Sequence, residues 1–197
     1  MNIAEDRRLD RYLPSYDFFE KHEIVIRSSP EKVFETLHTF DMHESKTTVF
    51  LLSLRAIFEP RSKRPEGHKP MIEESIGEEG LMTLLEEVEN KEIVVGFIGK
   101  SWKIRPALFR PQNAEEFISF DDPEYVKTAW DLFIKDNGDG TVALFTETRN
   151  LCMGRKSKRW FRPYWAIIKP FSGYSRSEML KIIKNIAEDG QKKEDKK

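Results

Sequence analysis

Three groups of residues in this chain have the types and spacing to do chemistry. The first lies on two strand-like runs, Tyr125–Lys135 and Thr141–Leu151, joined by a turn from Asp136 to Gly140 that is rich in Asp, Asn and Gly. Pairing Ile134 with Val142 sets Leu132 opposite Leu144, Trp130 opposite Thr146 and Thr128 opposite Thr148. Val126, Thr128, Trp130, Leu132, Ile134, Val142, Leu144, Thr146 and Thr148 then share one face, with Lys127, Asp131, Lys135, Glu147 and Arg149 on the other. An apolar face that gains hydroxyls part-way suits a cavity wall; it equally suits the ordinary preference of threonine for strands. The second group is aromatic: Trp102, Trp130, Tyr164 and Trp165, with Arg176 following the Pro170–Gly173 stretch. Arg176 either reaches the acid group of a ligand or pairs with an outer carboxylate. The third is basic: Arg155, Lys156, Lys158, Arg159 and Arg162 surround Trp160 and Phe161. That combination can touch RNA, anionic lipid or an acidic partner, and it also describes a solvated helix start with two core aromatics.

Other chemistry fails on spacing. Gly96 to Ser101 resembles a phosphate-binding loop, but Val94 stands where the first glycine belongs, and no helix follows. Asp136 to Glu147 has the length of a calcium loop, but Gly138 and Gly140 occupy ligand positions and Thr141 replaces the central glycine. His22, His38, His43 and His68 form no zinc pattern, and the single cysteine, Cys152, provides neither a disulfide framework nor a thiolate cluster. No Gly-x-Ser-x-Gly elbow is present. The doublets Glu73-Glu74, Glu86-Glu87, Glu115-Glu116 and Asp121-Asp122 read as solvated charges rather than catalytic pairs. Neither a metal nor a cofactor is expected.

The elements that position these groups follow from periodicity. At 197 residues the chain is expected to form one domain over 21–189, with an N-terminal arm over 1–20 and a charged tail over 190–197. Lys+Arg 33 against Asp+Glu 34 gives a net charge of -1, so no global field draws the chain to nucleic acid. No long apolar run or leader-like N-terminus is visible, which sets the cytoplasm as the expected location. Ile24 and Ile26 mark a first strand. Ser29 and Pro30 then start a helix whose Val33, Phe34, Leu37 and His38 share a face. Thr48–Phe58 reads as a buried second helix, 59–70 as a loop and Met71–Ile76 as a short helix. Leu81–Glu87 and Glu92–Gly99 form a hairpin, Trp102–Arg105 continues the sheet, and Phe117–Phe120 is a shorter strand. From Arg155 onward the pattern is helical, interrupted at Pro163 and Pro170, and ends in an amphipathic stretch with Met179, Ile182, Ile183 and Ile186.

The junction Glu23–Phe34, the run Glu92–Trp102, Tyr125–Trp130, Thr146–Arg149 and Ser172–Arg176 occur in an order that resembles the START-like (SRPBCC, pollen-allergen-like) superfamily. Within it the chain is similar to an uncharacterised bacterial branch. The likeness spans most of residues 10–187 and is carried by the order of weak motifs. It implies an α+β helix-grip fold: a curved antiparallel sheet of six or seven strands around a long, broken C-terminal helix, with two helices after strand 1. It also implies a pocket between sheet and helix for a lipid-like, polyketide-like or other apolar ligand.

These readings give one leading expectation, the binding of a hydrophobic or amphipathic small molecule. Trp102, Thr128, Trp130, Leu132, Leu144, Thr146, Thr148, Tyr164, Trp165 and Arg176 would line the site. The alternatives are an enzyme of the polyketide cyclase/dehydratase type, with Tyr164, Glu147 or His22 as acid or base, and an interaction module acting through Arg155–Arg162. No nucleic-acid partner and no transmembrane segment are expected.

Overall fold

A computed structural model describes residues 7–40, 72, 76, 80, 82–103 and 106–194. Its elements are α1 (Leu9–Tyr12), β1 (Phe18–Ile26), α2 (Pro30–Thr39), β2 (Thr83–Val88), β3 (Glu92–Lys100), β4 (Ala107–Phe109), α3 (Ala114–Ser119), β5 (Val126–Asp136), β6 (Val142–Cys152) and α4 (Arg155–Glu194). The architecture is α+β. Six antiparallel strands form a curved open sheet in the order β1-β6-β5-β3-β2, with β4 added to β3, and α4 packs across it.

Local chemistry explains most of these elements. Ser29 caps α2 by accepting from the Lys32 N–H at 3.3 Å, and Pro30 takes the first turn. Asn90 adopts φ 58° in the β2–β3 hairpin, and Gly138 and Gly140 take positive φ in the β5–β6 turn. That turn closes on Asn137 N–H to Thr141 O, 3.0 Å. Asp136 therefore faces Val142, and Ile134 faces Leu144, two residues from the register expected. A slip of two preserves the face of every side chain, so the apolar and charged sets stay as grouped.

Four expectations are corrected. Phe117–Phe120 is not a strand: Ala114–Ser119 is helical, because Asn113 accepts from the Glu116 N–H at 2.9 Å while the Glu116 carboxylate accepts from the Gln112 N–H at 2.6 Å. Of Trp102–Arg105, Trp102 lies in a turn and Lys103 in a bend rather than in the sheet, and Ile104 and Arg105 lie outside the described residues. α4 is not interrupted. It runs 40 residues through Pro163 and Pro170, about 60 Å at the helical rise. Each proline forfeits bonds only locally, while clusters at both ends anchor the helix to the sheet. β1 takes in Phe18–Glu20, which the sequence placed in the arm. Thr48–Phe58 and the 59–70 loop lie outside the described residues; of Met71–Ile76, Ile72 and Ile76 are helical and pack on the core.

The two faces of the sheet are both covered. The inner face carries an aliphatic cluster, in which Ile26, Leu132, Ile134, Val142 and Leu144 meet Val33 and Leu37 of α2 and Leu180, Ile183 and Ala187 of α4. At the other end of α4, Phe161 and Trp165 pack on Val126 and Cys152. The outer face lies beneath α1 and α3, where Leu9 and Leu13 join Val94, Ile98, Phe117 and Ala129. The charged residues grouped on that face are therefore not solvated. Asp131, Glu147, Arg149 and Lys127 are all buried.

Candidate functional site

Between the aliphatic and aromatic ends of the inner face lies a polar band. Alternation along β1 places Phe18, Glu20, His22, Ile24 and Ile26 on one face, and the β1–β6 pairing sets Glu20 beside Thr148 and His22 beside Thr146. The β5–β6 pairing adds Trp130 beside Thr148 and Thr128 beside Asn150. Glu20, Thr128, Thr146, Thr148 and Asn150 are all buried. Above them runs the stretch of α4 from 166 to 178, in which no residue is fully buried.

Part of this band is internally bonded. Trp130 Nε1 donates to Thr146 Oγ1 at 2.5 Å, and Thr146 Oγ1 donates to the Asp131 carbonyl at 2.9 Å. Thr128 Oγ1 donates to Asn150 Oδ1 at 2.8 Å. Arg176 reaches down from α4, its guanidinium 4.7 Å from the Trp130 ring centroid and its Nη1 3.5 Å from Thr146 Oγ1. Burial pulls the Arg176 pKa down to about 10, while Glu20 and Asp131 oppose the fall, so the group stays charged at neutral pH. His22 lies 2.9 Å from Glu20 Oε1 through Nε2 and 3.4 Å from Ser177 Oγ through Nδ1. α4 approaches closely here because of Gly173: a Cβ at that position would collide with Glu20 Oε1.

The rest of the band is not satisfied. Glu20 Oε2, Thr148 Oγ1, Asn150 Nδ2 and Arg176 Nε are buried and have no hydrogen-bond partner among the described residues. Buried polar atoms are nearly always partnered, because an orphan keeps the full desolvation cost of about 1–3 kcal/mol. Three of the orphans belong to neighbouring positions on one face of the sheet, Glu20, Thr148 and Asn150, and the fourth, on Arg176, reaches toward that face from α4. Together the four mark a place built to meet something else. Two are pure donors, one is an acceptor, and the threonine hydroxyl is either.

The structure distributes the expected site residues unevenly. Thr128, Trp130, Thr146, Thr148 and Arg176 come together in the band. Leu132 and Leu144 sit in the aliphatic cluster. Trp102, Tyr164 and Trp165 gather around Phe161 at the aromatic end, with ring centroids 5.6–6.2 Å from it, apart from Trp130. Glu147 is on the opposite face, bound by Arg7 and Arg149, so it does not serve this site. Sequence reasoning missed Glu20, Asn150, Gly173 and Ser177. The signal for Glu20 was present: Ile24 and Ile26 face inward, and strand period carries His22 and Glu20 with them.

A cavity of about 10 Å³ adjoins the band between Ile72, Ile76, Ile93, Val95, Trp130 and Leu132, room for roughly one water. Among the described residues no group of His, Cys, Asp and Glu is placed to hold a metal ion, and no helix is long and apolar enough to cross a membrane.

Searches with the sequence match no family model and no curated protein. Solved structures give distant likenesses. A conserved protein from Geobacillus kaustophilus is 10% identical, covering 84% of this chain and 95% of its own, at a TM-score of 0.38. A hypothetical protein from Helicobacter pylori is 9% identical over 81% and 84%, at 0.34. The Mll3558 protein from Rhizobium loti is 14% identical over 80% and 96%, at 0.32. Likeness at this level carries no argument about chemistry.

Proposed function

We propose that the chain binds an amphipathic small molecule between the sheet and α4, with the molecule's polar head in the band around Thr148. The observation that carries this reading is the set of four orphaned polar atoms beneath the least buried stretch of α4. They specify the head. It must accept from Arg176 Nε and Asn150 Nδ2 and donate to Glu20 Oε2, which a carboxylate or ester next to a hydroxyl does. The apolar tail has no ready space, since the adjoining cavity holds about one water. Entry therefore requires the 166–178 stretch of α4 to lift, and affinity is what remains of the tail's burial after that cost. The resemblance to START-like proteins supports a ligand in this place. Native mass spectrometry of the full chain, gently purified, should show an added mass in the range of a lipid or polyketide. A bare mass, together with no uptake of 3-hydroxydodecanoate, would remove the reading.

One observation favours an enzymatic second reading. With Glu20 accepting from His22 Nε2–H, Nδ1 is left to accept the Ser177 hydroxyl proton, an arrangement of nucleophile, base and orienting carboxylate. An esterase of this kind should hydrolyse p-nitrophenyl acyl esters at a rate that falls about 100-fold or more in Ser177→Ala. Equal rates in the two proteins would discard it.

A further inference from the structure

We propose that the ligand's head enters the polar band as an anion, past Lys169, along the side of α4 on which a line of cations leads to Arg176. Residues 155–177 hold seven cations and no carboxylate, although the chain as a whole carries a net charge of only -1. Lys156 is engaged with Glu124 and Lys158 with Asp17. Arg155, Arg162 and Lys169 are exposed and form no ion pair among the described residues. They stand seven residues apart, and seven more lead to Arg176. Each step is two helical turns, about 10 Å, and the four positions drift by only about 60° around the helix. Three cations in solvent thus lead to a fourth at the band, its guanidinium 4.7 Å from the Trp130 ring centroid. Arg159, also exposed, lies beside the line.

The same line marks an opening. Residues four apart on a helix lie one above the other. Lys169 is four residues from Trp165 and four from Gly173. Trp165 is buried against Val126 and Cys152, and a Cβ on Gly173 would strike Glu20 Oε1. Both neighbours therefore touch the sheet, yet Lys169 between them is exposed. Solvent reaches the sheet-directed side of α4 at that turn, one turn from where Gly173 meets Glu20 and His22. Glu20 and His22 belong to β1, the strand at one end of the described sheet, so the opening overlooks the sheet's edge.

Charge decides which head group uses the opening. An anion drawn to Arg155, Arg162 and Lys169 passes from one cation to the next and ends on Arg176, whose Nε has no partner among the described residues. A neutral ester gains nothing along that path. Between residues 160 and 174 the opposite flank of α4 carries Trp160, Tyr164, Ile167, Phe171 and Tyr174 and no cation, so it gives an anion no such guide. Entry by this route rests on the amphipathic ligand proposed above and gives its head one form, a carboxylate, with the neighbouring hydroxyl left for Glu20 Oε2. Lys169 is then a positioning residue for entry, outside the set of site residues expected from sequence.

Stopped-flow mixing of the full chain with 3-hydroxydodecanoate, and separately with its methyl ester, tests the route by tryptophan fluorescence, with dissociation constants from calorimetry alongside. At about 0.05 M salt the acid should associate about tenfold faster than the ester. Replacing Arg155, Arg162 and Lys169 together by Gln should slow association of the acid about tenfold, leave its dissociation rate unchanged and leave the ester unaffected. The loss should shrink below about twofold at about 0.5 M salt. Lys181→Gln with Lys192→Gln, at the far end of α4, should change the rate by less than about twofold. All five positions are exposed, so the variants should unfold at the wild-type temperature; Lys169→Gln alone serves if the triple variant does not. Equal association of the acid with the wild type and the triple variant overturns the route. So does a loss carried by dissociation alone, which would place the cations in the bound site. Binding of the ester but not of the acid overturns the route and keeps the ligand reading, whereas binding of neither compound overturns both.

Discussion

The two faces of the sheet bury polar groups in opposite ways. On the outer face the charges are strongly partnered. Arg7 donates to Asp131 and, at 2.7 Å, to Glu147. Arg149 donates to Glu147 and Asp10, each at 2.6 Å. Asp131 Oδ1 also accepts the Glu147 N–H at 2.8 Å. Glu92 accepts the N–H groups of Arg8 at 2.7 Å and Leu9 at 3.2 Å and so caps α1. On the inner face the polar groups are fewer, yet four of their atoms are orphans. A buried charge with partners on every side is structural: it fastens the segment before β1 to the sheet. A buried polar atom without a partner costs stability for no structural return, which is why function is sought under α4 and not at the denser charge cluster.

The largest effect should come from breaking the outer network. Arg7→Ala leaves Asp131 and Glu147 buried with an uncompensated charge and should cost about 3–5 kcal/mol in urea unfolding. A loss below about 1 kcal/mol would mean that the outer face is not held as described.

Next in size is a pH effect. Burial raises the Glu92 pKa from 4.5 to about 7, and Asp131, beside it, adds to the rise. The Asp131 pKa is itself raised, chiefly by burial. A raised acid pKa means that the native state keeps a proton the unfolded chain has released. Stability therefore falls as pH climbs from about 4.5 to 7 and levels off above, by at most about 3 kcal/mol for Glu92. Urea midpoints measured between pH 5 and 8 should show that slope, and Glu92→Gln should flatten it. A flat wild-type profile would place Glu92 in a wetter setting than its 1% exposure gives, and a slope of the opposite sign would mean that the N–H groups of Arg8 and Leu9 and the charge of Arg7 outweigh its burial.

Gly173→Ala sharpens the comparison from the inner side. An ordinary helix-interior glycine gains about 1 kcal/mol on this change. Here the new Cβ meets Glu20 Oε1, so a loss of about 1–3 kcal/mol in thermal or urea unfolding is expected. A gain would show that α4 does not press on Glu20.

Much of this was legible in sequence, for identifiable reasons. Strand-period grouping of Trp130, Thr146 and Thr148 survived a register error because the error was two residues. Ser29-Pro30 marked the start of α2 because a cap acts through its immediate neighbours. Asn113 and Glu116 spell a capping box that marks the start of α3, but the Phe-Ile-Ser-Phe run after it has the composition of a strand, so the two local signals conflict. The continuity of α4 was not legible, since a helix tolerates proline where packing at its two ends holds it. Nor was the burial of Asp131 and Arg149, because their partners Arg7 and Asp10 lie more than 120 residues away.

Thr148 offers the most direct test of the central claim, that the inner-face orphans exist for a ligand. Thr148→Val removes an unpartnered hydroxyl at nearly constant shape, so stability should stay level or rise by up to about 1 kcal/mol. Calorimetric titration with 3-hydroxydodecanoate should give saturable one-to-one binding to the wild type, weakened about tenfold in the variant. A variant that loses stability while binding as well as the wild type would contradict the account.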